Sequence, residues 1–322
     1  MAQPVNLPVI AVVGPTAAGK SGLSLRLAQV LDGEIVNADS MQLYRGMDIG
    51  TAKLPPGQRG GVPHHLLDIW EVTRTANVSE YQRLARRAIA GIHSRGRLPI
   101  VVGGSGLYVR AVIDNLDFPG TEPELRDRLE RELAEVGPAV LHARLARLDP
   151  VAAGAILPGN GRRVVRALEV LELSGRPFSA TLPGYESVYD VAAVGVQVPR
   201  AQLDERITSR VAAMWRAGLV AEVRGLVAAG LREGKTASRA LGYAQVLRFL
   251  AGEWSHEEAV AQTVKATRRF ARRQESWFRR DPRITWLPAD EADADQADLA
   301  ARAVATIRSC GLPRATERET TS

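Results

Sequence analysis

The chain has a single cysteine, Cys310, in 322 residues. One thiol cannot close an internal disulfide or build a thiolate metal cluster, and such usage fits a reducing compartment. Long apolar runs are missing too, since none approaches the ~18 residues that a bilayer span requires. The opening, Met1-Ala2-Gln3-Pro4, lacks the basic segment and apolar core of an export leader. A cytoplasmic protein with no membrane partner is expected, and nothing indicates an obligate protein partner. No internal repeat is present. What the chain does have is 45% hydrophobic and 24% charged residues, an ordinary globular mixture sufficient for one large or two modest domains.

The strongest local pattern is Gly14-Pro15-Thr16-Ala17-Ala18-Gly19-Lys20-Ser21, which fits G-x-x-x-x-G-K-[ST]. The β-branched run Val9-Ile10-Ala11-Val12-Val13 precedes it, and the helical pattern Leu23, Leu27, Val30, Leu31 follows. Strand, loop and helix therefore come in the order that a phosphate cradle requires. Glycines let backbone N–H groups close around an oxyanion and the helix N-terminus adds its dipole. Lys20 supplies a point charge, and the Ser21 hydroxyl can hold Mg²⁺. The cradle takes phosphate or diphosphate without saying what is done with it.

A second short strand, Glu34-Ile35-Val36-Asn37, carries Asp39-Ser40-Met41-Gln42 beyond its carboxyl end, where open parallel sheets keep their reactive groups. Asp39 is placed there to take a proton from a nucleophile, or else Asp39 or Ser40 only caps a helical turn. His64 and His65, as strand neighbours, would point to opposite faces and are poorly placed to share one metal. A buried strand at 98–102 runs into Gly103-Gly104-Ser105-Gly106. A motor ATPase or GTPase would end such a strand in a Mg²⁺-ordering Asp, so the glycine there counts against simple nucleotide hydrolysis. The turn suits close approach of a substrate, with Ser105 as a hydrogen-bonding hydroxyl, or it is a plain strand-to-helix connection.

From Phe118 to about Asp190 strands vanish, and helical patterns at 123–133, 137–147 and 162–173 follow one another across short breaks at Asp149-Pro150 and Pro158-Gly159. The expected fold class is α/β, a P-loop-type parallel sheet core with a helical insertion. Its parts would be a first core segment at 1–117, the insertion at 118–190, a second core segment at 191–288 and a flexible acidic and polar tail at 289–322. The second core segment would carry strands at 191–198 and 284–287 and helices at 203–217, 220–229 and 238–250. From Gln262 to Arg283 eight basic residues face two acidic ones, a local +6 that matches the net charge of the whole chain. On a helix these cations cover a broad face, while Ala266, Phe270 and Trp277 would line a narrow packing stripe opposite. Cations at i,i+4 spacing repel unless an anionic partner is present, which favours a polyanion over a merely solvated face.

Together these motifs closely resemble those of the bacterial tRNA dimethylallyltransferases. The resemblance rests on residues 14–21 followed by Asp39-Ser40-Met41-Gln42-Leu43-Tyr44, Met47-Asp48-Ile49-Gly50-Thr51-Ala52-Lys53 and Pro63-His64-His65-Leu66-Leu67-Asp68. It continues through Val102-Gly103-Gly104-Ser105-Gly106-Leu107-Tyr108, the run 163–170, Gly242-Tyr243 and Arg273-Gln274. That family moves a dimethylallyl group from dimethylallyl diphosphate to N6 of the adenine beside the tRNA anticodon. The resemblance implies that Gly14, Pro15, Thr16, Ala17, Ala18, Gly19, Lys20 and Ser21 hold diphosphate rather than ATP, with Mg²⁺ at Ser21. It implies Asp39 as general base, Ser105 as a hydroxyl where many relatives have Thr, and Arg224 as a further contact to the diphosphate. It also implies contacts with the tRNA anticodon stem-loop from Asp39, Ser40, Met41, Gln42 and Ser105, and from Arg126, Arg162, Arg163, Val164, Val165 and Arg166. Further tRNA contacts would come from Ala240, Leu241, Gly242, Tyr243, Ala244 and Gln245, and from Arg272, Arg273, Gln274, Glu275, Ser276, Trp277, Phe278 and Arg279. A stacked adenine must be extruded to present its amine. A P-loop small-molecule kinase using ATP, a non-catalytic RNA-binding module and an enzyme prenylating free adenylate are the alternatives. The basic helix and the helical insertion favour a macromolecular acceptor over the last.

Overall fold

The computed structural model of the chain describes residues 7–175, 177–178, 184–289 and 296–310. The chain divides into two units, residues 1–114 with 187–322, and residues 115–186. Unit one is built on a six-stranded sheet of β1 (Pro8–Val13), β2 (Gly33–Asn37), β3 (His64–His65), β4 (Leu98–Gly103), β5 (Asp190–Gln197) and β6 (Ile284–Pro288). The spatial order is β3-β2-β4-β1-β5-β6, and every pairing is parallel. In β1, Val12 lies between Val102 of β4 and Val194 of β5. Residues 9–13 are all buried, as a β-branched run covered on both faces should be. β3 is too short to leave a periodic signal in the sequence. It pairs with the rim of β2, and the Ile35 N–H donates to Pro63 O at 2.9 Å.

Three helices belong to the first half of the sheet: α1 (Lys20–Val30), α2 (Val78–Ser94) and α3 (Gly106–Ile113). Unit two holds α4 (Pro123–Val136), α5 (Pro138–Leu148), α6 (Pro150–Ala155) and α7 (Gly161–Ser174) around its own core of Leu129, Leu141, Leu145, Val164 and Leu168. The expected break at Asp149-Pro150 is instead the start of α6. Asp149 accepts the Ala152 N–H at 2.9 Å and Pro150 takes the first helical position, where its missing N–H costs nothing. The insertion also begins and ends earlier than 118–190. An antiparallel bridge from Asp114 to Ser187 closes unit one, and in unit two the Asn115 N–H donates to Glu186 O at 2.7 Å.

The second half of unit one adds α8 (Arg200–Arg216), α9 (Leu219–Ala228), α10 (Tyr243–Leu250), α11 (His256–Phe278) and α12 (Gln296–Ser309). The single helix expected over 238–250 is split. A 3₁₀ turn at Ala237–Arg239 gives way to extended Ala240, and Gly242, at φ 86°, starts α10 from a conformation that favours glycine. The tail expectation needs correction as well. Leu299, Ala303 and Ile307 of α12 recur at helical spacing and are buried with Ala300 and Val304, and the helix packs against α1, β5 and β6. Of the expected acidic patch, Asp290, Glu291, Asp293 and Asp295 lie outside the described residues, as does 311–322. Among the described residues no helix is long and apolar enough to cross a membrane.

Candidate functional site

The loop from β1 to α1 turns on left-handed Ala17 and Gly19, at φ 65° and 98°. Gly14, at φ 137°, lies so close to β5 that a Cβ would stand 3.0 Å from Val196 O. Holding Ala17 in the left-handed region costs roughly 1 to 2 kcal/mol, the kind of strain that functional loops retain. Gly19 supplies no side-chain cap to α1. The first-turn amides of Lys20, Ser21 and Gly22 therefore have no intrahelical acceptors and sit at the positive end of the helix dipole. Lys20 Nζ donates to Pro15 O at 2.7 Å. Burial lowers its pKa to about 8, against the raising influence of the Asp39 carboxylate and with the repulsion of Arg210.

Asp39 follows β2. Buried Asn37 accepts the Asp39 N–H at 2.9 Å, and its amide donates to Asp39 O at 3.1 Å and Leu66 O at 3.0 Å, which fixes the backbone on both sides. Asp39 Oδ1 accepts the Met41 N–H at 2.9 Å. It therefore caps a turn at 40–43, and no helix begins there. Burial raises its pKa, opposed by the Met41 and Gln42 amides and by the charges of Lys20 and Lys53. The mutual influence of Lys20 and Asp39 places cradle and carboxylate in one electrostatic site. Ser105, at the start of α3, has its Oγ 3.3 Å from Ser40 Oγ and 3.4 Å from Ser40 N. β4 can pass this closely because a Cβ on Gly103 would come within 2.5 Å of Ala38 O. A tyrosine pair that the sequence reading did not assign stands beside the carboxylate. The Tyr81 and Tyr108 rings are 4.7 Å apart, and Tyr81 donates to Asn37 O at 2.9 Å. Burial raises both phenols, with Asp39 adding to the effect.

Arg224 belongs to the second half of unit one. It is exposed on α9, two residues beyond Glu222, which accepts the amides of Asp48, Ile49 and Gly50 at 3.2, 2.7 and 3.3 Å. Residues two apart on a helix face different ways. The arginine whose charge acts on Lys20 is Arg210 of α8, half-buried, with its own pKa lowered by burial. The sequence does carry a signal for it. Leu203, Ile207, Val211 and Trp215 form the buried stripe of α8, and Arg210 stands at its margin, three residues after Ile207. For Mg²⁺, the protein donor on offer is the exposed Ser21 hydroxyl, and no group of three or more His, Cys, Asp or Glu side chains suited to a metal occurs among the described residues. Such a set fits an ion held mostly by diphosphate oxygens and water, the usual habit of Mg²⁺. His64 and His65 are engaged separately, with Val62 O at 2.8 Å and Glu34 at 2.6 Å.

The residues expected to meet RNA divide into two sets. In unit two, Arg162 and Arg163 are exposed, whereas Val164 and Val165 belong to the core and offer no side chain to a ligand. Arg126 and Arg166 both pair with fully buried Glu169, at 2.9 and 2.7 Å, which holds their guanidinium groups in fixed directions. In unit one, Arg272, Arg273, Ser276 and Trp277 are exposed on α11 and Arg279 at its C-cap, and Ser40, Met41 and Gln42 are partly so. Arg268 is turned back to Asp204 O and Thr208, and Arg283 is engaged by Asp114 and Asp281. Leu241, Ala244 and Gln245 are partly exposed, and Gln245 accepts the Gly242 N–H at 2.8 Å. Ala240, Gly242 and Tyr243 are buried, and Tyr243 donates to Glu222 at 2.6 Å while its ring fills the space that a Cβ on Gly50 would need. Glu275 pairs with Arg279 at 3.3 Å. The packing stripe of α11 is not Ala266, Phe270 and Trp277 but Ala259, Thr263, Ala271, Gln274 and Phe278. Apolar periodicity missed it because two of its members are polar, with their hydrogen bonds satisfied inside. Thr263 donates to Ala259 O, and Gln274 bonds to Thr16 and Gly104.

The family model described as IPP transferase matches residues 42–281. The chain is 69% identical over 285 residues to a tRNA dimethylallyltransferase of Streptomyces avermitilis, covering 88% of this chain and 91% of that one. It is 68% identical over 290 residues to the protein of the same name in Thermobifida fusca, with the same shares covered. Among solved structures it is similar to a tRNA isopentenylpyrophosphate transferase from Bacillus halodurans, with a TM-score of 0.69 and 39% identity over 94% of this chain and 98% of that one. A eukaryotic dimethylallyltransferase acting on tRNA gives a TM-score of 0.79 at 27% identity, over 97% and 82% of the two chains.

Proposed function

Because the chain belongs to the IPP transferase family, we propose that it transfers a dimethylallyl group from dimethylallyl diphosphate to N6 of the adenine beside the anticodon of tRNA. The observation that carries the chemistry is the pairing of Asp39 with Lys20. A carboxylate whose proton affinity is raised by burial stands within the electrostatic reach of a cation in an anion cradle. The N6 lone pair attacks C1 of the allyl group, the C1–O bond breaks with its electrons going to diphosphate, and Asp39 accepts the N6 proton. First-turn amides of α1, Lys20 and Arg210 take up the negative charge that develops on the leaving group, and such preorganised donors are usually the largest catalytic contribution. We assign to Arg210 the diphosphate contact expected of Arg224. Mg²⁺, held at Ser21 and on the diphosphate, would add positive charge beside the leaving group. Ser105 stands next to Asp39 through Ser40, where its hydroxyl can position the entering amine.

The exposed cations of α11 support the RNA side of this reading, as do Arg162 and Arg163 of unit two. An extruded purine needs a wall to stack on, and Tyr108, half-exposed beside Tyr81, offers one. The test is incubation with unmodified tRNA, dimethylallyl diphosphate and Mg²⁺, followed by mass spectrometry of the anticodon stem-loop fragment. One prenyl addition to the loop adenine is expected. Absence of that product, together with phosphoryl transfer from ATP to a small acceptor, would establish the kinase reading instead.

A further inference from the structure

Gln274 lies on the buried stripe of α11, 6% exposed, directly after the exposed cations Arg272 and Arg273. Its Oε1 accepts the Thr16 N–H of the phosphate loop at 2.9 Å, and its Nε2 donates to Gly104 O beyond β4 at 2.9 Å. The partners dictate the orientation of the amide, since a backbone N–H can only donate and a carbonyl can only accept. The space is shaped for this group. A Cβ on Gly104 would fall 2.2 Å from Nε2, and one on Gly106 would meet the Trp277 indole at 2.1 Å. One side chain thus spans the helix that presents cations, the loop that cradles diphosphate and the turn that leads to Ser105. The amide of Thr16 is engaged by Gln274, so any shift of α11 acts on the cradle through a hydrogen bond 258 residues away in sequence.

Resting on the function proposed above, we infer that Gln274 is the positioning residue through which RNA bound on α11 and diphosphate bound in the cradle strengthen each other. This role differs from the RNA contact that the sequence resemblance implied. Coupling of this sort is reciprocal, so each ligand must raise the affinity of the other by one common factor. The probes are an unmodified anticodon stem-loop and inorganic diphosphate with Mg²⁺, titrated calorimetrically alone and in each other's presence. In the wild type a common factor of about 5 or more is expected, the lower end of typical allosteric coupling. Gln274→Met keeps the length but loses both hydrogen bonds, and the factor should fall to about 1 with each single-ligand affinity changed far less. Gln274→Glu keeps the acceptor for Thr16 and should retain part of the coupling. Gly104→Ala crowds the amide without altering any residue of α11 and should reproduce the Gln274→Met result even if that variant folds poorly. Lower thermal stability with undiminished coupling would make Gln274 structural only and overturn the inference, as would independent binding in the wild type. Failure of the function itself would appear separately, as a wild-type protein that forms no prenylated product.

Discussion

Lys20 and Asp39 set opposite limits on the pH range in which the site can work. Lys20 is charged below its pKa of about 8, so affinity for a diphosphate should decline as pH rises through that value. Asp39 must be a carboxylate to accept a proton. Burial raises its pKa, so activity should decline on acidification at a pH above the ordinary aspartate value of about 3.9. The expected kcat/KM profile is a bell whose alkaline limb lies near 8 in the free enzyme, and a profile flat through that region would remove Lys20 from the account. Asp39→Asn should lower single-turnover rate by about 10²- to 10⁴-fold with RNA affinity kept. Arg210→Ala should lower kcat/KM by about 10²-fold, the usual loss for one charge-stabilising donor. Arg224→Ala should change it by less than about twofold, and the reverse ranking would restore the assignment that resemblance implied. Asp39 and Lys20 are legible in the sequence because strand, loop and helix grammar fixes where the ends of β1 and β2 lie. Arg210 is marked only by its place at the margin of the α8 stripe and Gln274 only by resemblance, and their roles are not legible, because their facing depends on how α8 and α11 are rotated against a sheet whose order is not written in any local pattern.

Among the elements, α11 shows best what patterning does and does not convey. Its capping box, with Ser255 accepting the Glu258 N–H and Glu258 accepting the Ser255 N–H, and its run of cations define the helix and its charged face. The charge count alone overstates what solvent sees, since Arg268 and Arg283 are turned inward to acceptors. The exposed pair Arg272 and Arg273 should carry the phosphate contacts. Replacing both by alanine should weaken RNA binding and flatten the slope of log affinity against log salt by roughly 1 to 2, on the counterion-release scale of about 0.7 to 0.9 per phosphate. An unaltered slope would mean that RNA lies elsewhere. The bounds of short or glycine-led elements were poorly marked in the sequence for related reasons. β3 is two residues long, and Gly242 breaks a pattern of apolar residues that continues without interruption on both sides of it.

Across the whole molecule, the sheet-and-insertion plan was readable from where strands stop and resume, with unit two running from Asn115 to Glu186 rather than from 118 to 190. The C-terminal helix was not, because its acidic preamble suggested a solvated tail, while the 3- and 4-residue spacing of Leu299, Ala303 and Ile307 passed unused. Removing α12 by ending the chain at Ala289 should lower the melting temperature by several degrees. Burying one leucine or isoleucine is worth about 1.5 to 3 kcal/mol, and a chain of this size shifts by about 2 to 4 °C for each kcal/mol lost. An unmoved melting curve would show that α12 contributes nothing to the stability of the sheet. The order β3-β2-β4-β1-β5-β6 also bears on synthesis. The strand that bears the phosphate loop is made first, yet its β5-facing rim gains a neighbour only after the ribosome has produced the whole insertion and reached Asp190. Until then a flat apolar rim stands open to other chains. The helices of unit two, which share their own core, are made during that interval, and nascent protein should be prone to aggregate when translation pauses between Gly103 and Asp190.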